Sequence, residues 1–224
     1  MLYITKLFLC FFIFSFIGWC LEMVFGYFTT KKIVNRGFLI GPLCPIYGTG
    51  CILLYLLLRQ YVNDPIILFV MAMVVCSILE YVASYLMEKI FKARWWDYTD
   101  FKFNINGRIC LEMAIPFGLL GLLVLYILFP STLNLLDRLP SQAIYVVAGL
   151  LATIFLVDLL ISFKVIMKFT ETALSVPKDM TEEITKFVKK TLSKNRWTKR
   201  LVDSFPNLHI DFSNIKKLLK KIKK

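Results

Sequence analysis

The chain has 224 residues, 58% of them hydrophobic and 19% charged, with a formal net charge of +12 and a mean hydropathy of +0.68. So apolar a composition excludes a disordered chain and an ordinary water-soluble domain, and points to a membrane protein. The six cysteines lie in or beside apolar runs without a Cys-x-x-Cys pair, and the single His209 is far from them, so no metal site is expected.

A hydrocarbon core of about 30 Å needs about 20 apolar helical residues to cross it. Five stretches fit: Tyr3–Phe28, Pro42–Leu58, Pro65–Ile90, Ile109–Phe129 and Ala143–Lys168. The first reads as a retained span rather than a secretory signal. Only Lys6 precedes its apolar run, no small-x-small cleavage site follows, and Glu22 sits inside it. Ser15, Gly18, Trp19, Glu22 and Gly26 fall on one face of that helix.

The connection that follows, Asn35-Arg36-Gly37-Phe38-Leu39-Ile40-Gly41-Pro42-Leu43-Cys44-Pro45-Ile46-Tyr47-Gly48, is broken by Gly-Pro and Cys-Pro steps. Proline removes an amide donor and restricts the residue before it. Irregular backbone at membrane depth is tolerated only where protein buries it or it lines a cavity. A broken helix start beside Arg36 would present free amides to an anion; a kinked helix after a turn is the plainer alternative. The second stretch is the weakest span for the same reason.

The third stretch carries Ser77, Glu80, Tyr81, Ser84 and Glu88 as one polar stripe. After it comes a loop with Trp95, Trp96, Asp97, Tyr98, Asn104, Asn106, Gly107 and Arg108. The tryptophans suit an interfacial belt, and Asn106-Gly107 is a turn signal. The loop is expected to fold back over the bundle, with Arg108 one turn before Glu112 on the fourth helix. Asp158 and Ser162 form a further polar pair on the fifth.

Lys31, Lys32 and Arg36 follow the first span; Lys92, Arg94 and Lys102 follow the third; the tail is strongly basic. The opposite side shows only Lys6, Arg59 and Arg138. The positive-inside rule then gives an N-terminus outside and a C-terminus inside. The expected fold is an all-α polytopic bundle of about five spans over residues 1–168, followed by a basic cytoplasmic tail over 169–224. That orientation places Glu22, Glu80, Glu112 and Asp158 in the cytoplasmic leaflet. A charge at the bilayer centre costs roughly 2.5–3.5 kcal/mol on insertion scales, and such residues commonly mark ion, proton or substrate pathways. Ion pairing (Arg36 or Arg108 with Glu112, Lys164 beside Asp158) and simple protonation are the structural alternatives.

The tail carries a net +8, from 14 basic and 6 acidic residues. Ile215, Leu218, Leu219 and Ile222 line one face of a final helix, with Lys216, Lys217, Lys220 and Lys221 on the remainder. Such a helix suits an anionic inner-leaflet surface; no recognition motif supports nucleic acid.

The motifs Gly18-Trp19-x-x-Glu22, Asn35–Gly48, Glu80–Glu88 and Arg94–Glu112 resemble the bacterial ABC-transporter type IV (CmpB-like) family of multipass membrane proteins. The resemblance runs from about Phe8 to Val165 and leaves out the tail. It implies a permease-like protein of the bacterial cytoplasmic membrane and carries no known substrate.

No Walker, zincin or nucleophile-elbow pattern is present, and no cofactor is expected. An ABC role therefore requires a separate ATPase subunit, and so few spans call for a homodimer or a second membrane subunit. Transport leads among the readings. A membrane-embedded enzyme acting on a lipid headgroup would use Glu80 or Glu112 as acid–base and Arg36 and Arg108 as phosphate clamps. A scaffold or regulator working through its basic tail is the third reading.

Overall fold

A computed structural model describes residues 1–31, 35, 37–91 and 94–174, without the side chains of 29, 30 and 169–174. Arg36 and the whole basic tail, including Lys216, Lys217, Lys220 and Lys221, lie outside the described residues.

The chain folds into α1 (Leu2–Thr30), α2 (Pro45–Leu58), a 3-10 turn (Arg59–Tyr61) and α3 (Pro65–Phe91). A two-stranded hairpin follows, β1 (Asn104–Ile105) and β2 (Ile109–Cys110). Then come α4 (Leu111–Leu123), a π-turn (Val124–Leu128), α5 (Phe129–Asp137) and α6 (Ser141–Leu174). Among the described residues, four helical segments are long and apolar enough to cross a membrane: Leu2–Phe28, Pro65–Phe91, Leu111–Asp137 and Ser141–Lys168. The second expected span is different. Its helix begins only at Pro45 and has 14 residues, about 21 Å at the usual helical rise and short of a hydrocarbon core of about 30 Å.

Local chemistry sets these boundaries. Lys31 closes α1 in a left-handed conformation (φ 56°), its amide bonding the Tyr27 carbonyl. Pro45 occupies the first turn of α2, where a missing amide costs nothing. The Asp64 carboxylate accepts from the amides of Ile66 and Ile67 at 3.1 and 3.0 Å and so caps α3. The fourth span starts at Leu111 rather than Ile109 because Ile109 pairs with Ile105 across the hairpin. It also runs further than expected. Pro116 and Pro130 remove two amide donors, yet the helix continues through the π-turn to Asp137.

Helix α1 touches α2, α5 and α6; α3 packs against α2 and, most extensively, α4. Close approach depends on glycine. A Cβ on Gly48 would overlap Ser15 and the Phe11 carbonyl, and one on Gly18 would overlap the Tyr47 ring. The main apolar core occupies one half of the bundle, around Cys10, Phe14, Leu54, Leu58, Leu68, Val124, Phe129 and Ile144. Tyr55 stacks on Phe129 with ring centres 3.9 Å apart. A smaller apolar cluster, Phe91 and Ile166 with Phe38 and Trp95, closes the other end. The buried polar groups lie between the two. On the outward faces of α3 and α6, Ile66, Val70, Val74, Ile78, Leu150, Ile154, Val157 and Leu160 are exposed, the arrangement that lipid rather than water rewards.

Candidate functional site

Among the described residues, the polar contacts of the site candidates fall into three constellations, apart from the Lys6–Asp137 ion pair. In the first, α1, α2, α3 and the hairpin converge. The Tyr47 hydroxyl donates to Glu22 Oε1 at 2.7 Å, and the Tyr98 hydroxyl donates to Glu80 Oε1 at 3.0 Å. Tyr98 is also within electrostatic reach of both Glu22 and Tyr47, so the two acid–phenol pairs adjoin. Burial first, and then the neighbouring Glu80, push the Tyr98 phenol above its ordinary range. It therefore stays a hydrogen-bond donor at any physiological pH. Glu80 is 7% exposed, and its Oε2 is buried without a hydrogen-bond partner. The Trp19 indole N–H, one turn before Glu22, is likewise buried and unpartnered.

The second constellation fastens the hairpin to α3. Glu88 Oε2 lies 2.7 Å from Arg108 Nη2 and 2.9 Å from Arg94 Nε. Arg108 also donates to Ser84 Oγ at 3.3 Å and lies over the Tyr81 and Tyr85 rings, 5.6 Å from each centre. Arg94 reaches Asp97 at 3.8 Å. Asn106 donates to the Tyr81 hydroxyl at 2.9 Å, and the Trp96 indole donates to the Arg108 carbonyl at 3.1 Å. Inside the hairpin, Asn104 Oδ1 accepts from the Gly107 amide at 3.0 Å, and the Tyr98 amide donates to the Gly107 carbonyl at 2.8 Å. Gly107 has φ +66°, and a Cβ there would meet Asp97 and Thr99, so glycine is required on both counts. The loop thus folds back onto the bundle end, as expected.

The third constellation holds the irregular segment 37–44. Asp158 accepts from the amides of Ile40 and Gly41 at 3.2 and 3.0 Å. Ser162 donates to Asp158 at 3.1 Å and accepts from Ile40 at 2.9 Å. A Cβ on Gly41 would stand 2.7 Å from Asp158 Oδ2. Asn35 braces the same turn, accepting from Gly37 at 2.9 Å and donating to the Ile40 carbonyl at 3.1 Å. Further along, the Cys44 amide bonds the Ser15 carbonyl at 2.9 Å, halfway along α1. Irregular backbone therefore reaches the interior of the bundle, with its donors met by side chains and by α1.

Two sequence expectations change. The free amides beside the Gly-Pro step do face an anion, but that anion is the protein's own Asp158. Arg108 precedes β2 rather than sitting on α4; it pairs with Glu88, while Glu112 is exposed and forms no ion pair among the described residues. The strand pairing at Ile109 turns Arg108 back toward α3 and leaves Glu112 in the first turn of α4. Lys164, proposed beside Asp158, is exposed. Pro42 is exposed too, whereas Gly37, Gly48 and Gly107 are buried.

The family described as "Putative ABC-transporter type IV" matches residues 9–163. The chain belongs to this family. All three constellations fall within the matched region, so the polar interior is part of the family domain and not of the tail. No curated protein and no solved structure matches the chain.

One contributor and one partner escaped the sequence reading. Arg94 shares Glu88 with Arg108, and only its place six residues beyond Glu88 hints at the contact. The break announces free amides, but nothing in the sequence points to Asp158 as the carboxylate that Ile40 and Gly41 meet. An apolar crevice of about 380 Å³ lies along α3 and the hairpin, lined by Met73, Val74, Ser77, Tyr81 and Ile105 among others. It contains none of the acids and offers little to a polar solute.

Proposed function

We propose that this family member is the membrane-embedded, permease-like subunit of an ABC-type transport system in the bacterial cytoplasmic membrane. Its working polar site is the Glu22–Tyr47 and Glu80–Tyr98 pair. The observation that carries this reading is two acids on long apolar helices, Glu22 on α1 and buried Glu80 on α3, each bonded by a phenol, Tyr47 from the short α2 and Tyr98 from the loop before the hairpin. A merely structural acid has its partners complete, as Asp158 does; Glu80 does not. The reading includes a fifth crossing, in which segment 37–44 and α2 together traverse the bilayer as a broken element. It also takes the N-terminus as outside and the C-terminus as inside, so that the hairpin and the basic tail face the cytoplasm. The sequence holds no nucleotide-binding motif, so a separate ATPase subunit supplies the energy. A homodimer or second membrane subunit completes the pathway, and the tail rests on anionic lipid.

The lipid-headgroup enzyme is less well supported, because Arg108, one of its two phosphate clamps, is already committed to Glu88 and Ser84. Purification of the full chain in native-like lipid, followed by mass spectrometry of copurifying proteins, tests the proposal. Recovery of an ATPase in fixed ratio is the expected result. A chain that copurifies with no ATPase at all overturns it.

A further inference from the structure

Glu80 lies roughly 16 Å from the Phe91 end of α3, taking the usual helical rise. Among the described residues, its surroundings contain acids and weak acids but no free cation. On α3 itself, Cys76 stands one turn before it and Ser84 one turn after. The loop before the hairpin contributes Tyr98, and β2 contributes Cys110 beside it; α1 contributes Glu22, and α2 contributes Tyr47. Arg108 is held by Glu88 and Ser84. On α4 and α6, Glu112 is exposed, and Asp158 is engaged with segment 37–44. Among the described residues no Lys or Arg pairs with Glu80 or Glu22. One Glu80 oxygen has a phenol donor and the other has nothing, although the side chain is more than nine-tenths buried. A desolvated carboxylate without a counter-charge is neutralised rather than tolerated. A proton is the one cation that needs neither a cavity nor a coordination shell.

We propose that Glu80 is a proton-binding site, in which Oε2 takes up the proton and Tyr98, in the loop before the hairpin, sets how tightly it is held. This deepens the transport reading by naming the species bound at its polar site. Proton uptake takes the carboxylate from −1 to neutral. The Tyr98 hydroxyl donates to the charged form and so opposes uptake, against the burial that favours it. Tyr98 is a positioning residue here.

The test uses the full chain in phosphatidylcholine–phosphatidylglycerol vesicles treated with dicyclohexylcarbodiimide, a lipid-soluble reagent that consumes protonated carboxyls. Peptide mass spectrometry should find the adduct on Glu80 at neutral pH and little on exposed Glu112. Above its midpoint the Glu80 adduct should fall about tenfold per pH unit, as the protonated fraction does. Tyr98→Phe should move that profile to higher pH. The infrared band of a neutral carboxyl, lost in Glu80→Gln, gives the same reading without dependence on reagent access. Absence of that band together with an unlabelled Glu80, a pH profile matching Glu112, or an unchanged profile in Tyr98→Phe overturns the proposal. An ATPase recovered with an ionised Glu80 removes the proton and keeps the transport reading. A protonated Glu80 without any ATPase does the reverse.

Discussion

Removing the Asp158 carboxylate should release the irregular segment 37–44 without unfolding the bundle. Asp158 receives three hydrogen bonds, from the amides of Ile40 and Gly41 and from Ser162. Bonds to a charged group are worth about 1.5–3 kcal/mol each, but they do not simply add. Ile40 keeps a partner in Ser162 Oγ at 2.9 Å, and the Ser162 hydroxyl can rotate. Only the Gly41 amide is orphaned. The expected cost of Asp158→Ala is therefore one charged bond with its desolvation penalty, about 2–4 kcal/mol. Asp158→Asn keeps one acceptor oxygen and should cost about half as much. Cys44 lies inside the segment and reports its local opening, so its alkylation rate in lipid nanodiscs, followed by mass spectrometry, is the assay. A loss of about 2 kcal/mol or more corresponds to alkylation faster by about 30-fold or more where opening is a rapid pre-equilibrium ahead of the reaction. Helicity should remain near native. An unchanged Cys44 rate in Asp158→Ala would refute the idea that this carboxylate holds the segment.

Glu22→Gln and Tyr47→Phe should each destabilise the protein by about 1–2 kcal/mol, and a double-mutant cycle should give a coupling of at least about 0.5 kcal/mol; additive losses measured by denaturant titration in micelles would contradict the bond. Gly48→Val should cost more than about 3 kcal/mol, because the new atoms meet the Phe11 carbonyl, which is backbone and cannot rotate away; a thermal midpoint equal to native would be incompatible with the α1–α2 packing. Glu112→Gln should stay within about 0.5 kcal/mol of native, and a large loss in the same titration would show that Glu112 has a partner.

The membrane class and the long helices were readable because apolar length is a one-dimensional property: α1, α3 and α6 follow directly from it. Helical spacing also put Ser84 with Glu80 and Ser162 with Asp158. The second span was harder. Pro42 and Pro45 announce a break, but how many residues remain irregular depends on whether distant groups satisfy their amides, and Asp158 lies more than a hundred positions away. Arg108 was misplaced for a related reason. Its spacing to Glu112 is helical, yet Asn106-Gly107 builds a hairpin first, and strand pairing turns the guanidinium toward Glu88. The convergence of Glu22 with Glu80 needed the packing of α1, α2 and α3 around Gly18 and Gly48, which no local pattern encodes.

ATP hydrolysis by the copurified complex tests the central claim most directly, comparing native chain, Glu80→Gln and Glu112→Gln in the same lipid. The buried acid–phenol site predicts that Glu80→Gln loses the rate supported by the native chain while Glu112→Gln keeps it. Equal rates for both variants, each matching native, would contradict the assignment of the working site to Glu80 and its tyrosine.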